Sequence, residues 1–227
     1  VFSNSNLQPE TADTYSVGAI VSAGGFKATV DYWNFKFKDE LTNETAASVF
    51  NTMFPSATPS AWQCSNAVLR ARFNFAVGTA FTNPVDGSNC HPSNFLGVRT
   101  NLINGPGVDT SGVDFQASYT LHEIGGGDLT VGTEGTYLLE YKRGPLVTLD
   151  GITIAPALDR AGKLELLSAF YSYPTWKANA YLNYALGPHN LRATLRYVGE
   201  MEDVNHRQGA GFAKVGSNVQ LDLVYRV

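Results

Sequence analysis

The chain has 227 residues, a formal net charge of -4 and a Lys and Arg complement scattered along its length, which leaves no basic patch for nucleic acid. No apolar run approaches the roughly 18 residues that a membrane helix requires, so a helical membrane protein is excluded. A transmembrane β-barrel is not, because alternation dilutes its hydropathy to that of a soluble protein, and 11 Tyr, 13 Phe and 22 Gly favour a strand-rich chain. No signal peptide opens the sequence, so the chain is expected to be mature, cytoplasmic or a fragment.

The first predicted strand is Asp13–Ser22, with Tyr15, Val17, Ala19 and Val21 against Ser16, Gly18 and Ser22. A turn at Ala23-Gly24-Gly25 leads into Phe26–Lys38, whose apolar face starts as Phe26, Ala28, Val30 and Tyr32 and then changes phase to Trp33, Phe35 and Phe37. A bulge at Tyr32-Trp33 is the expected cause. From about Asp39 to Asn94 runs a long insertion rich in Pro, Ser, Asn and Gly. It holds one short helix signal, with Thr42 and Asn43 as caps, Ala46, Val49, Phe50 and Met53 at helical spacing, and a stop at Phe54-Pro55. Loops of this length are uncommon and usually functional.

Phe95–His122 reads as one very long extended segment, clearest where Val113, Phe115, Ala117, Tyr119 and Leu121 alternate with Asp114, Gln116, Ser118 and Thr120. After the turn Glu123–Asp128 comes Leu129–Lys142, the cleanest strand, and then a second long connection from about Arg143 to Tyr173. Pro174–Asp203 forms a hairpin around Gly187–Asn190. Trp176, Ala178, Ala180, Leu182, Tyr184, Leu191, Ala193, Leu195 and Tyr197 lie on one face and Lys177, Asn179, Tyr181, Asn183, Arg192, Thr194 and Arg196 on the other. A third long connection, Val204–Val215, precedes a last strand in which Val219, Leu221, Leu223 and Tyr225 alternate with Gln220, Asp222 and Arg226.

Alternation of this kind fits a soluble sandwich and a membrane barrel about equally. The connections separate the two readings. Every short turn falls on one end of the sheet and every long loop on the other, the asymmetry of an outer-membrane barrel with brief periplasmic turns and long extracellular loops. The expected fold is therefore an all-β, antiparallel, up-and-down transmembrane barrel segment of about seven strands, with long extracellular loops and one short loop helix.

Specific residues then resemble a known family. Asn6-Leu7-Gln8-Pro9-Glu10 followed by Asp13-Thr14-Tyr15-Ser16-Val17-Gly18 is similar to a signature of TonB-dependent outer-membrane receptors, in which it marks an extracellular loop descending into a barrel strand. Asp31-Tyr32-Trp33 through Lys38-Asp39 looks like the return strand, Asn101–Asp114 resembles a further family strand, and Arg196-Tyr197 with Asp203 looks like a late-barrel segment. The resemblance implies an outer-membrane location in a Gram-negative bacterium. It also implies capture of a scarce nutrient of the siderophore, cobalamin or oligosaccharide class, and energised uptake through the partners TonB and a plug domain, with outer-membrane lipid around the wall. No TonB box, plug or closing aromatic residue is recognised, so residues 1–227 are expected to be part of a 22-stranded barrel, unable to fold stably alone because open edges in hydrocarbon leave backbone groups unsatisfied. The alternatives are a passive porin-like channel and a secreted carbohydrate-binding β-sandwich.

No catalytic constellation stands out, and no enzyme activity and no cofactor is expected. Cys64 and Cys90 lie in one irregular region and are expected to close a disulfide loop, worth about 3 kcal/mol by loop entropy; two unpaired thiols are the alternative. With His91 they are too few for a zinc site. His122, His189 and His206 sit in turns or on the surface. Glu200, Glu202, Asp203 and His206 could gather a cation, but a solvated strand end is the plainer reading, and no metal is expected. Asn43-Glu44-Thr45 fits a glycosylation pattern that is incidental in a bacterium. Candidate ligand contacts are the loop and rim aromatics Trp62, Phe170, Tyr171 and Tyr173 and the lumen-facing Arg192 and Arg196. Glu134, Glu140, Lys177, Asp222 and Arg226 share the lumen face with these arginines, pairing with one another or with the plug. The plainer readings are loop packing for Trp62 and an aromatic girdle for Tyr171, Tyr173 and Trp176.

Overall fold

The computed structural model describes residues 4–166, 171–204 and 213–227. The chain divides into two compact units, one of Val1–Ala12, Phe37–Val108 and Arg143–Leu158, the other of Asp13–Lys36, Asp109–Lys142 and Asp159–Val227.

The second unit is built on strands β1 (Thr11–Ala23), β2 (Phe26–Lys38), β3 (Val108–Ile124), β4 (Gly127–Arg143), β5 (Trp176–Leu186), β6 (His189–Val198) and β7 (Asn218–Arg226). They hydrogen-bond in sequence order, an antiparallel up-and-down path whose edges are β1 and β7. A tilted strand needs about 9–11 residues to cross a bilayer. The 9 residues of β7 meet that length, and the 17 residues of β3 and of β4 exceed it. Short turns of two residues join β1 to β2, β3 to β4 and β5 to β6, each opening on a glycine of positive φ: Gly24 at 56°, Gly125 at 61° and Gly187 at 57°. A primed turn demands that conformation because its twist matches that of the strands it joins.

The register fixes both faces. Ala180 pairs with Thr133 on one side and Leu195 on the other, and Leu195 with Leu221. One row nearer the turns, Leu182 aligns with Val131, Ala193 and Leu223, and the next row is Tyr184, Leu129, Leu191 and Tyr225. This apolar face has no core against it: Leu223 is 68% exposed, Val17 66%, Leu221 60% and Leu182 53%. In a soluble sandwich such side chains interdigitate with a second sheet. Here they need a solvent that is itself apolar.

Aromatic rows bound that face. Trp176 packs on Tyr137 with centroids 4.5 Å apart and edge-on to Phe115 at 6.2 Å, and Tyr15 meets Tyr32 at 5.9 Å. At the turn end the Tyr184 hydroxyl donates to the Ile124 carbonyl at 2.9 Å, and the Tyr225 hydroxyl lies 2.7 Å from His189 Nδ1. Trp176 and Tyr184 are separated by about 26 Å along the strand at ~3.3 Å per residue, which suits an apolar band about 25 Å tall crossed at a tilt.

Four short strands, paired in the order Tyr171–Tyr173, Lys163–Glu165, Met201–Asp203 and Lys214–Val215, tie the second and third long loops together, with Lys163–Glu165 parallel to Met201–Asp203.

The first unit holds the hydrophobic core. Val49, Met53, Leu69, Cys90 and Ile103 are essentially inaccessible, and Phe54, Phe73, Phe75, Leu146 and Ile154 pack with them. Helix α1 (Ala46–Met53) supplies Val49 and Met53 from one face. Its N-cap is Thr45, whose hydroxyl accepts from the Ser48 N–H at 3.1 Å. Thr42 and Asn43, the caps expected from sequence, lie instead in the extended segment Leu41–Asn43, paired with Leu102–Asn104. A one-turn helix α2 (Ala67–Arg70) follows, and a disulfide joins Cys64 to Cys90, Cα atoms 5.9 Å apart.

Two finer expectations are corrected. Phe95–His122 is not one strand: Phe95–Val98 turns back to pair with Phe73–Phe75, Leu102–Asn104 pairs with Leu41–Asn43, and only from Val108 does the chain enter the main sheet. Nor does a bulge at Tyr32-Trp33 swap the faces of β2. Tyr32 contacts Tyr15 on the apolar face, while Asp31, Trp33 and Phe35 share the other with Ser16 and Asp114. The alternation is regular, and the aromatic residues themselves change sides.

Candidate functional site

The polar face follows from the same register. Asn179 pairs with Glu134 and Arg196, and Arg196 with Gln220; Tyr181 pairs with Gly132 and Thr194, and Thr194 with Asp222. Alternation along β2, β3 and β4 adds Lys27, Asp31, Asp114, Asp128, Glu140 and Lys142, and along β5 to β7 Lys177, Arg192 and Arg226. The charged positions of this face are thus Asp31, Asp114, Asp128, Glu134, Glu140 and Asp222 against Lys27, Lys142, Lys177, Arg192, Arg196 and Arg226. Acid and base are equal in number.

Many of these groups hold one another. Arg196 Nε donates to Asp222, which also accepts from Gln220 at 3.0 Å. Asn179 donates to Glu134 at 3.1 Å, Thr136 to Asp114 at 2.6 Å, and Lys142 to Glu140 at 2.7 Å. Between them opens a concavity of about 550 Å³ lined by Asp114, Gln116, Glu134, Lys177, Asn179 and Arg196. Arg192 does something different: its guanidinium lies 4.0 Å from the centroid of the Tyr181 ring, and its Nε donates to Thr194 at 3.3 Å. The ring beneath it lies across Gly132, where an added Cβ would come within 2.7 Å of Tyr181 Cε1. A cation over an aromatic face is worth about 0.5–1 kcal/mol at an exposed site, enough to hold the arginine against the wall.

Asp114 also belongs to a second cavity, about 420 Å³, with Ser16, Asp31, Trp33 and Phe35. The Trp33 indole lies over Gly112, where a Cβ would come within 2.8 Å of its Cε2. Trp33 and Phe35 are 5.6 Å apart at an interplanar angle of 57°.

None of the described aromatics expected to touch ligand lines either cavity. Tyr171 is buried at 6% exposure, beneath Arg160 at 4.6 Å and stacked on Tyr173 at 5.7 Å, which in turn stacks on Tyr141 at 4.4 Å. Burial pushes the Tyr171 hydroxyl above the ordinary phenol pKa. Trp62, in the loop unit, donates its indole N–H to the Ser56 carbonyl at 3.0 Å and packs edge-on against His91, which stacks on the exposed Phe81. Phe170 and His206 lie outside the described residues. Among the others of the acidic group at the third loop, Glu200 accepts from Lys214 at 2.7 Å, which raises the lysine pKa, and the described residues contain no cluster of three metal-ligating side chains.

In the loop unit, Arg72 and Glu44 form a buried ion pair, with side chains 1% and 0% exposed. Glu44 also accepts from the Asn101 N–H at 2.8 Å, and Arg72 Nε lies 3.9 Å from Asp150. Asn104 clamps two segments: it accepts from the Gln8 N–H at 2.8 Å and donates to the carbonyls of Gln8 and Asp39, each at 2.8 Å.

Trp33 and Phe35 were the residues that sequence reasoning passed over as functional candidates. Their signal was present: Lys36 and Lys38 alternate with Phe35 and Phe37, so beyond Tyr32 the charged residues occupy the side that apolar ones hold lower down. No curated protein matches the chain. Residues 1–226 match the model of the family described as TonB dependent receptor-like, beta-barrel, and the chain accordingly belongs to that family of outer-membrane receptors and transporters.

Proposed function

We propose that the chain forms part of the wall and outer loops of a receptor that takes up a scarce nutrient, of the siderophore, cobalamin or oligosaccharide class, with energy delivered through TonB. The observation that carries the reading is the uncovered apolar face of β1–β7, bounded at both ends by aromatic rows. Lipid would cover that face and leave the charged face toward an aqueous lumen. In this reading the long loops meet the nutrient, and a plug domain beside the polar face gates its passage. The chain does no covalent chemistry. Uptake follows from a ligand that binds one plug state better than the other, with TonB shifting the balance.

The test uses the full-length receptor in a Gram-negative host under nutrient limitation, with uptake measured with TonB present, with TonB deleted and with the proton gradient collapsed. Uptake should vanish in the last two conditions. Undiminished uptake without TonB, together with a steady single-channel conductance in planar bilayers, would replace the reading with that of a passive pore.

A further inference from the structure

We infer that the cavity of Trp33, Phe35, Asp31, Asp114 and Ser16 is a subsite for a neutral saccharide ring, an inference that rests on the nutrient-uptake reading and narrows its substrate class. The aromatic residues sit beside Asp31, Asp114 and Ser16 on the face of β2 turned away from lipid, where no hydrocarbon calls for them. Trp33 lies over Gly112, a position without a side chain to lift the indole off the wall. Phe35 stands at 57° to it, so the two rings make an angled seat rather than a stack.

A sugar ring offers C–H faces to aromatic surfaces and hydroxyls to carboxylates. Asp31, Asp114 and the Ser16 hydroxyl supply those polar partners within the same 420 Å³, a size within the usual range for small-molecule sites.

Charge decides against anionic chelates and cations, and a corrinoid, which is neutral, is too bulky for 420 Å³. An anionic ferric chelate would meet two carboxylates at this seat, and over the whole polar face, those two included, acids and bases are equal in number. Recognition of an anion calls for a surplus of positive charge. A cation would be drawn to the carboxylates, but Asp114 already accepts from Thr136 at 2.6 Å, and the balanced wall provides no field to lead it in. A neutral guest rich in donors and acceptors suits both the seat and the wall.

The experiment uses the full-length receptor in detergent. It is presented with an array of neutral glucan, xylan, arabinan and galactan fragments, with a ferric tris-catecholate, with a ferric hydroxamate and with spermine. Affinities are then measured by calorimetry for wild type, Trp33→Ala, Trp33→Phe and Asp31→Asn. At least one neutral fragment should bind. Trp33→Ala should weaken it on the order of tenfold, as expected for loss of an aromatic platform, Trp33→Phe should restore most of the affinity, and Asp31→Asn should weaken it severalfold. Heat-modifiable mobility of each variant reports that the barrel has formed, and Trp33→Phe keeps the comparison valid should the alanine variant misfold. Binding of no fragment, binding unchanged in both Trp33→Ala and Asp31→Asn, or Trp33-dependent binding of a chelate or of spermine overturns the inference. If TonB-dependent uptake of a ferric chelate persists in Trp33→Ala, the saccharide subsite falls while the uptake reading stands. If nothing is taken up in a TonB-dependent manner, both fall.

Discussion

Leu195 offers the sharpest test of which face meets lipid. It pairs with Ala180 and Leu221, and Ala180 lies midway along β5 between Trp176 and Tyr184, so Leu195 sits at the middle of the apolar band. Its neighbour Thr194 points to the opposite face, aligned with Tyr181 and Asp222. Arginine on the lipid face of a barrel costs about 2–4 kcal/mol at the midplane, which is a ~30- to 1,000-fold change in the folding equilibrium. Thr194→Arg instead places a guanidinium in water beside Asp222, at the loss of the Arg192 hydrogen bond and between Arg192 and Arg196, and should cost at most about 1 kcal/mol. In the full-length receptor, urea titration of refolding into lipid vesicles should show Leu195→Arg destabilised by that amount, with reduced abundance in the outer membrane, and Thr194→Arg near wild type. Equal effects from the two substitutions, or a larger effect at Thr194, would refute the assignment of faces on which the functional reading depends.

Three further outcomes are expected. Replacing Cys64 and Cys90 by serine opens a loop of 26 residues' separation and should cost the loop unit about 3–3.5 kcal/mol by loop entropy, read as faster proteolysis between the two positions, which reductant reproduces in the wild type. Arg72→Ala leaves the buried Glu44 carboxylate without its cation and should cost about 3–5 kcal/mol, whereas Arg72→Met with Glu44→Leu should cost much less; hydrogen exchange in residues 41–104 distinguishes the two. Gly132→Ala should cost about 1–3 kcal/mol through overpacking against Tyr181, and most of that penalty should disappear in a Tyr181→Ala background, a coupling measurable by the same urea titration.

Much of the sheet was legible because its determinants are local. Period-two alternation sets the faces, glycine sets the turns, and the order of short and long connections sets the direction. What was not legible depended on distant partners. The sequence pattern carries Phe95 on into Val113 because both are extended and apolar, but the face of Phe95 is claimed by Phe50 and Phe73, with ring centroids 5.0 and 6.0 Å away. Thr45 beats Thr42 as the helix cap because Leu41–Asn43 is drawn into a pairing with residues about 60 positions later. Trp33 reads as a break in pattern only under the rule that apolar residues mark one face throughout. The rule fails at the height where the outer face leaves hydrocarbon, since lipid no longer demands apolar side chains there and the inner face is free to carry them.

That the core lies in the loops and not in the sheet has a thermodynamic consequence. Val49, Met53, Leu69 and Ile103 leave water when the loop unit folds, so its unfolding should carry the positive heat-capacity change of exposed apolar surface and a stability curve that bends downward on cooling. The outward side chains of β1–β7 pass from one oily surrounding to another if they unfold within a bilayer, and from lipid they would take little such curvature. One polypeptide would then melt by two different laws of temperature, and in calorimetry of the intact receptor the step in heat capacity would come from the loops more than from the wall that carries them.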